Sequence, residues 1–579
     1  MMTDFLKKHG WRYIPGMVFL IINAMIASWI PQFLGQAIDG LWAQPVDPPY
    51  VYGRVLCLVG AVIAVFVTRY IWRQLIIGNS RHMEMYLRQR LFAKFQHLPA
   101  SFFDEHPTGD LMAMAINDIN AVRMTMGMVV AQILTGASTA VFSLYHMIQN
   151  VHTSLALYAL IPIPFAVFFV VFLGIRVRQQ FAKVQKMYAR ISGTIQENIM
   201  GQRVLKAFHR EENAQRTVEE KSAEMRDANI RLNDMSAMIN PLIQVCFGVS
   251  FLISLTYGSN LVLNATITVG ELVSFNEYLT RIMRPVISLG RIINATARGM
   301  ASYRRLKDIL MQPEIHPMEY ENRDMELTGA VSVRNLSYTY PGTTRQVLKD
   351  ISFELPVGKV IGVVGETGCG KTTLIDLLLK LRTAPDDTVF LDGHPLQNIP
   401  AKTVRSIIGY VPQEEFLFNT TVRENIRFYE TAEEPALQEA SRAADLAKDM
   451  AQLAEGMDTE VGERGRHLSG GQKKRVTIAR ALVRDPKLLI FDDVLSSVDV
   501  RTEREILENL RQIMAEKTCL IVSQRISALR YADEILYMEN GTIAERGTHE
   551  ALLAMGGRYA ALHEKQAKAA EEAEAALQQ

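Results

Sequence analysis

The sequence has few of the features that mark disulfide-stapled, metal-binding or nucleic-acid-binding proteins. Its 579 residues include only 4 cysteines, which lie far apart and form no CxxC pair, so neither a disulfide framework nor a cysteine-based metal site is predicted. The formal net charge is +1, without the basic excess that attracts a phosphate backbone, so we expect no nucleic-acid partner. The apolar run near the N-terminus lacks a small-residue cleavage site, and a removable signal peptide is therefore not predicted.

Long apolar runs are confined to the first half of the chain. A helix needs about 20 mostly apolar residues to cross a bilayer, and six stretches qualify, at about residues 14–38, 54–76, 127–149, 154–175, 238–261 and 272–292. The links after the first and fifth stretches contain no Lys or Arg, whereas segments 79–123 and 176–231 are rich in both. The positive-inside rule then places these long segments and both termini in the cytoplasm.

The second half of the chain contains a complete phosphate-binding loop. The apolar run Val360–Val364 predicts a buried parallel strand, and it leads into a GxxxxGKT sequence at residues 365–372. The glycines let backbone N–H groups point at phosphates, while Lys371 supplies positive charge and Thr372 offers its hydroxyl to Mg²⁺. We therefore expect a nucleotide to be bound by Gly365, Thr367, Gly368, Cys369, Gly370, Lys371, Thr372 and Thr373.

A pentapeptide about 100 residues later narrows the class of nucleotide-binding protein. Residues 468–472 read LSGGQ, which resembles the signature of the ATP-binding cassette (ABC) family. Phosphate-loop kinases and GTPases lack this signature. The resemblance implies that two cassettes sandwich ATP head to tail, and that the ATP of the second cassette is contacted by Leu468, Ser469, Gly470, Gly471 and Gln472.

Further motifs resemble those of the same family. Tyr340 resembles the residue that stacks on adenine, and Gln413 resembles the glutamine of the family's Q-loop. Asp492, at the end of an apolar run, resembles the aspartate that holds Mg²⁺ through water, so the resemblance places Mg²⁺ among Thr372, Gln413 and Asp492. Asp499 resembles the D-loop residue that reaches toward the other site. The implied cofactors are ATP and Mg²⁺.

Six spans ahead of such a cassette resemble the type I ABC exporters. We expect an all-α six-helix transmembrane domain followed by an α/β P-loop ABC nucleotide-binding domain with a small antiparallel β subdomain and an α-helical subdomain. The expected bounds are 1–315 for the transmembrane domain, 316–330 for a linker, 331–565 for the ATP-binding domain and 566–579 for a helical tail. The stretch that contains Asp110 and Asp118 resembles the first intracellular loop of these exporters. The stretch that contains Phe208 and Glu211 resembles the second. The resemblance implies that both loops reach a cassette.

Two positions depart from the family pattern. Members that hydrolyse ATP efficiently have a glutamate where this chain has Asp493 and a histidine where it has Gln524. The shorter Asp493 withdraws its carboxylate by about 1–1.5 Å, and Gln524 lacks the charge available to histidine. Together with an intact signature, this resembles one subunit of the heterodimeric exporters of bacteria. In those, one chain has a weakly hydrolysing site and its signature completes the efficient site of its partner.

The sequence thus predicts a multi-pass protein of the bacterial plasma (inner) membrane that exports hydrophobic or amphipathic, multidrug-like substrates. Its expected partners are a second ABC half-transporter, membrane lipids and a small-molecule substrate. Export of lipids or peptides, and an ATP-gated channel or regulator on the same frame, remain alternatives. The spans exclude a soluble ABC ATPase, and an importer is disfavoured because type I importers usually keep membrane and cassette parts on separate chains.

Overall fold

The chain forms two compact units, each described by itself below. The computed structural model describes residues 2–577 except 44, 322, 324, 431, 452, 454, 495–507, 509–510, 512–513 and 515–516. The first unit comprises Met1–Gln96 and His106–Pro313, and the second comprises His97–Glu105 and Glu314–Gln579. The short segment His97–Glu105 therefore belongs with the second half of the chain, although helices of the first unit flank it.

Helices make up the first unit throughout its described residues. Two π-helical turns, Met114–Asp118 and Thr125–Val129, interrupt the region between α5 and α7. The α-helices up to residue 310, of which α4 belongs to the second unit, are α1 (Met2–His9), α2 (Tyr13–Trp42), α3 (Pro48–His97), α4 (Ala100–Glu105), α5 (Thr108–Ala113), α6 (Ile119–Met124), α7 (Val130–Gln149), α8 (Thr153–Leu160), α9 (Pro162–Met200), α10 (Gln202–Ala207), α11 (Glu211–Ala237), α12 (Ile239–Leu263) and α13 (Val269–Leu310).

Among the described residues, five helical stretches are long and apolar enough to cross a membrane, judged by length and composition: Asp4–Trp42, Pro48–His97, Thr108–Gln149, Thr153–Met200 and Glu211–Leu263. Helix α13 contains the sixth predicted span, 272–292, but it is not among these five, so the count of six is not confirmed. The reason is its charge, since Glu277, Arg281 and Arg284 lie inside that stretch. Helix α3 has 50 residues, or about 75 Å of helix, which exceeds the hydrocarbon core of about 30 Å and extends well past it.

Helix α13 begins at a capping site that also attaches it to α2. Thr268 and Glu271 form a capping box, in which each side chain accepts a hydrogen bond from the other residue's backbone N–H. Asp39 of α2 accepts hydrogen bonds from the Gly270 N–H and the Thr268 hydroxyl, both at 2.7 Å. At Gly35 of α2, the neighbouring backbone of Gly270 leaves no room for a Cβ atom. The two helices therefore touch backbone to backbone next to the cap.

An ion pair between the buried Asp118 and the half-exposed Arg305 holds the C-terminal part of α13. The carboxylate of Asp118 accepts hydrogen bonds from the Ser302 hydroxyl at 2.9 Å and from the Arg305 Nε at 2.8 Å. Ser302 and Arg305 lie one turn apart on α13, whereas Asp118 ends a π-helical turn. Within the first unit, Asp118 therefore joins the segment after α5 to α13.

The described strands of the second unit form two β-sheets. A four-stranded antiparallel sheet has the order β2-β1-β4-β5, and a six-stranded sheet has the order β10-β9-β3-β8-β7-β6. In the larger sheet β10 pairs antiparallel with β9, and the remaining neighbours are parallel. The strands are β1 (Val331–Thr339), β2 (Gln346–Leu355), β3 (Val360–Gly365), β4 (Val389–Leu391), β5 (His394–Pro395), β6 (Ile408–Val411), β7 (Leu488–Asp492), β8 (Thr518–Val522), β9 (Glu534–Glu539) and β10 (Thr542–Gly547).

Apolar side chains cover both faces of the six-stranded sheet. Along β3, Val360 and Val364 belong to one core, whereas Ile361 and Val363 belong to the other, as the two-residue period of a strand requires. This burial on both faces explains the uninterrupted apolar run of β3. The described α-helices of the unit after residue 314 are α14 (Lys371–Leu378), α15 (Ala401–Ser406), α16 (Val422–Arg427), α17 (Glu434–Ala443), α18 (Ala447–Met450), α19 (Gly470–Leu482), α20 (His549–Met555) and α21 (Arg558–Leu577).

Candidate active site

The predicted nucleotide-binding residues meet at one edge of the six-stranded sheet. Four parallel strands, β3, β8, β7 and β6, lie side by side in that order. The carboxyl end of β3 leads into the phosphate-binding loop. Just beyond the carboxyl ends of β8, β7 and β6 lie Gln524, Asp493 and Gln413, respectively. Ligands of open α/β sheets bind outside the carboxyl ends of the strands, so this edge is the candidate site.

The phosphate-binding loop has a shape that only its glycines allow. Gly368 and Gly370 have φ values of 83° and 109°, in the left-handed region that side chains with a Cβ rarely adopt. The ammonium of Lys371 lies inside the loop, where it donates hydrogen bonds to the carbonyls of Gly365 at 2.7 Å and Glu366 at 2.9 Å. Phosphate oxygens are stronger acceptors for a cation than these carbonyls, so the loop presents its positive charge to an anionic ligand.

Tyr340, the predicted adenine-stacking residue, contacts the helix that follows this loop. Its hydroxyl lies 2.8 Å from the hydroxyl of Thr373 on α14. The guanidinium of Arg382 covers its ring at 4.7 Å from the centroid, and Tyr338 meets it edge to face at 5.4 Å. The ring is therefore held at its hydroxyl and contacted by both Arg382 and Tyr338.

Two adjacent carboxylates end β7. Asp492 and Asp493 are each 3% exposed, and burial raises the pKa of Asp492 to about 6, with Asp493 and Asp376 adding to the rise. The cations of Lys371 and Lys474 oppose it. A carboxyl that titrates near neutrality in a buried site is well suited to hold a divalent cation, whose charge favours its ionised form.

The two positions that depart from the family pattern are in direct contact. Asp493 has a φ of 47°, and its Oδ1 accepts a hydrogen bond from the Gln524 N–H at 3.3 Å. The Asp493 N–H in turn donates to the Val522 carbonyl at 2.7 Å, at the end of β8. The carboxylate of Asp493 is thus directed toward the backbone of the switch loop that carries Gln524.

The signature sequence caps α19. The hydroxyl of Ser469 accepts a hydrogen bond from the Gln472 N–H at 3.3 Å, and Oε1 of Gln472 accepts one from the Ser469 N–H at 2.9 Å. This reciprocal capping box starts a helix of 13 residues, and Leu468 is buried just before it. Ser469 and Gly470 remain exposed at the positive end of the helix.

Two residues that sequence reasoning missed attach these loops to neighbouring helices. Lys474 of α19 is 0% exposed, and its ammonium pairs with Glu415 at 2.9 Å and donates to the Gln413 carbonyl at 3.2 Å. Gln566 of α21 donates to the Gln524 carbonyl at 2.7 Å and accepts from the Ile526 N–H at 3.0 Å. Neither contact has a signal in the spacing of the sequence, since each joins residues more than 40 positions apart.

The side chains at this edge fit ATP with Mg²⁺. Thr372 and Gln413 are exposed oxygen donors, and Asp492 supplies a carboxylate. Within the described residues no group of three or more His, Cys, Asp or Glu side chains forms a metal site by itself. Such a sparse oxygen set suits Mg²⁺, which usually takes one or two carboxylates and completes its shell with water and substrate phosphates.

The remaining predicted residues lie in the first unit or outside the described residues. Asp110, Phe208 and Glu211 belong to the first unit, where all three are exposed, with 73% of Phe208 accessible. Asp499 of the predicted D-loop lies outside the described residues.

Fold and site together define a membrane protein that carries its own phosphate-loop ATPase. The profile of the ABC transporter transmembrane region matches residues 13–286, and that of the ABC transporter matches residues 348–496. The probable multidrug resistance ABC transporter ATP-binding/permease protein YheI of Bacillus subtilis is 35% identical over 573 residues, covering 98% of each chain. The multidrug resistance-like ATP-binding protein MdlA of Escherichia coli is 31% identical over 558 residues, covering 96% of this chain and 94% of that one.

Two further similarities cover nearly the whole chain. The ATP-dependent lipid A-core flippase of Syntrophus aciditrophicus is 29% identical over 568 residues, covering 97% of this chain and 93% of that one. A bacterial Atm1-family ABC exporter with ATP bound has the same fold, with a TM-score of 0.76 at 23% identity over 97% of this chain and 98% of that one. The chain belongs to the ABC transporter family, with a membrane domain fused to an ATP-binding domain, and is an ATPase whose hydrolysis is coupled to transport.

Proposed function

We propose that this chain is one half of a heterodimeric ABC exporter and that its own ATP site binds nucleotide but hydrolyses it slowly. The observation that carries the proposal is the contact between Asp493 and Gln524, since both departures from the family pattern fall within one site. Hydrolysis requires a carboxylate that positions water in line with the γ-phosphate. Here that carboxylate is short and already accepts a backbone hydrogen bond.

The signature supports the other half of the proposal. Its capping box is complete, and Ser469 and Gly470 are exposed at the start of α19, so this helix is ready to face a nucleotide held by a second chain. The partner then carries glutamate and histidine at the positions of Asp493 and Gln524. In this chain, Tyr340 stacks on adenine, the phosphate-binding loop holds the phosphates, and Thr372, Gln413 and Asp492 surround Mg²⁺.

The proposed architecture has six spans, with α13 as the sixth. Of its charged residues, Arg281 donates a hydrogen bond to the Ala27 carbonyl of α2 at 2.7 Å. Glu277 and Arg284 face a water-filled path or the partner chain, since ionisable groups are costly against lipid. The domain bounds 1–315, 316–330, 331–565 and 566–579 belong to the same proposal, as do cytoplasmic termini in a bacterial cell membrane. Phe208 and Glu211 lie on the tip of a loop that reaches a cassette of the dimer.

Hydrophobic or amphipathic drug-like compounds are the proposed substrates, in line with the multidrug names of two relatives that span almost the full chain. Lipid export is the second candidate, because the lipid A-core flippase is nearly as similar.

Purification through an affinity tag on this chain tests the proposal. The expected result is a low ATPase rate for this chain alone and a high rate when a second half-transporter with the restored glutamate and histidine is copurified. Rapid hydrolysis by a demonstrated homodimer of this chain contradicts the heterodimer. Uphill transport into inside-out vesicles of a drug-like cation, compared with a fluorescent phospholipid, separates the two substrate classes.

A further inference from the structure

A single arginine connects the predicted adenine-binding ring to two acidic side chains. The guanidinium of Arg382 lies over the ring of Tyr340, pairs with Asp376 of α14 at 3.0 Å and pairs with Asp104 of α4 at 2.6 Å. All four residues belong to the second unit. The Arg382 side chain itself is only 13% exposed.

The two carboxylates determine where the guanidinium lies. Asp376 is on the helix that begins at Lys371, one turn beyond Thr373, so it fixes Arg382 relative to the phosphate-binding loop. Asp104 lies near the end of a helix of six residues, and its side chain is 57% exposed. The Asp376 contact is therefore the buried anchor, whereas the Asp104 contact is at the surface.

The guanidinium in turn fixes the ring. With Arg382 over one face and the hydroxyl of Tyr340 held by Thr373, a base that stacks on this ring must use the opposite face. A cation over an aromatic ring contributes more when it is desolvated, as this one largely is. A ring already held in place binds adenine without the entropy cost of being ordered.

We propose that Arg382 is a positioning residue of the adenine pocket and that Asp104 controls it. Asp104 holds Arg382, and Arg382 holds Tyr340. By linkage, ATP binding also strengthens the Asp104 contact, because two equilibria that share Arg382 affect each other equally. The inference rests on the adenine-stacking role proposed for Tyr340.

Ligands with and without a base separate this role from a general structural one. Equilibrium dissociation constants for ATP and for tripolyphosphate are measured at 4 °C on the full-length chain in nanodiscs, tripolyphosphate by competition. Arg382→Gln is expected to weaken ATP binding by roughly 3- to 30-fold, the range of a cation–π contact, with tripolyphosphate binding changed less than about 2-fold. Arg382→Lys keeps the charge and is expected to recover part of the loss.

The chain offers a matched control in Arg334, whose guanidinium lies over the ring of Phe390 at 4.8 Å on the antiparallel sheet. Arg334→Gln removes a similar contact elsewhere in the unit and is expected to leave both dissociation constants unchanged. Asp104→Asn is expected to weaken ATP binding in the same direction as Arg382→Gln but less. Combining the two is expected to cost no more than Arg382→Gln alone, because residues that act through one contact are not additive.

The proposal is overturned if Arg382→Gln binds ATP as tightly as the unaltered chain, or if ATP and tripolyphosphate weaken equally. If the effects of Asp104→Asn and Arg382→Gln on ATP affinity are additive, the proposal that Asp104 acts through Arg382 is overturned. Tyr340→Ala separates these failures from that of the proposed function. If it leaves ATP affinity unchanged, the stacking role fails and the inference fails with it; if it weakens ATP binding while Arg382→Gln does not, only the inference fails.

Discussion

Lengthening Asp493 to glutamate is expected to restore only part of the hydrolysis rate at this chain's ATP site. The extra methylene advances the carboxylate by about 1–1.5 Å, and a displacement of about 1 Å changes a rate by on the order of 10²-fold, or about 2.7 kcal/mol. Asp493 is 3% exposed, however, and its Oδ1 already accepts the Gln524 N–H. The longer side chain must fit the same buried space and give up the hydrogen bond from the Gln524 N–H. We therefore expect Asp493→Glu to raise the hydrolysis rate by roughly 3- to 10-fold, out of the 10²-fold available.

The rest of the gain requires a change at the switch loop. Gln524→His supplies a ring that carries positive charge toward the γ-phosphate, which the amide of glutamine lacks. Alone it is expected to raise the rate by less than about 10-fold, whereas the pair Asp493→Glu with Gln524→His is expected to approach 10²-fold. Gln524→Asn with Asp493→Glu is the matched control, because it changes the same position without adding an imidazole.

Single-turnover release of labelled phosphate measures these rates in the complex, with the partner's catalytic glutamate changed to glutamine to silence the other site. Two results refute the reasoning. One is phosphate release by the unaltered chain as fast as at the partner's intact site. The other is full recovery by Asp493→Glu alone, which would remove any need for a change at Gln524.

Three further outcomes follow from contacts around the site. Removing one partner of a buried ion pair costs about 3–5 kcal/mol. Lys474→Met alone is therefore expected to destabilise the chain more than the double variant Lys474→Met with Glu415→Leu. Thermal unfolding of the detergent-solubilised protein measures both, and equal losses of stability would contradict the pairing. Gln566→Ala frees the switch loop and is expected to change phosphate release several-fold with little change in ATP affinity, whereas Lys568→Ala on the same helix changes neither. Because the raised pKa of Asp492 is about 6, its protonated form is favoured in the folded protein, and the stability this gives is complete below the ordinary pKa near 3.8 and lost as pH rises through 6. Binding of Mn²⁺ with ATP, which needs the ionised carboxylate, is expected to weaken as pH falls below 6, and Asp492→Asn is expected to abolish that dependence.

The arrangement of the site could be predicted in outline because its motifs follow buried parallel strands. An apolar run before Gly365 and another ending at Asp492 place both motifs at the carboxyl ends of strands, and parallel strands share that edge. Lys474 and Gln566 escaped prediction because their partners lie 59 and 42 residues away, at Glu415 and Gln524 respectively. Spacing carries no signal for a tertiary contact of that kind.

The membrane half was less predictable for a different reason. Hydropathy recognises a membrane span as a long apolar stretch with few charged residues. Helix α13 carries several charged residues within its predicted span. The Thr268–Glu271 capping box at its start is a local pattern, but the contact of this cap with Asp39 of a distant helix is not. Neighbouring residues thus determine where the helix begins, whereas its packing depends on partners more than 200 residues away.

In the proposed heterodimer, the contacts of α19 give a reason to keep a site that hydrolyses slowly. Lys474 attaches this helix to the backbone at Gln413, and Arg480 attaches it to the Phe416 carbonyl at 2.9 Å, so the signature helix and the loop beside this chain's own ATP form one piece. In the proposed dimer the signature meets the partner's ATP, and a ligand bound at one end of such a piece shifts the equilibrium at the other. Occupancy, rather than hydrolysis, is then what this site contributes. We therefore expect Lys371→Ala, which removes the phosphate-binding cation, to lower the ATPase rate of the complex at least 10-fold more than Asp493→Asn does. Equal losses in the two variants, at saturating ATP, would mean that turnover at this site is itself required.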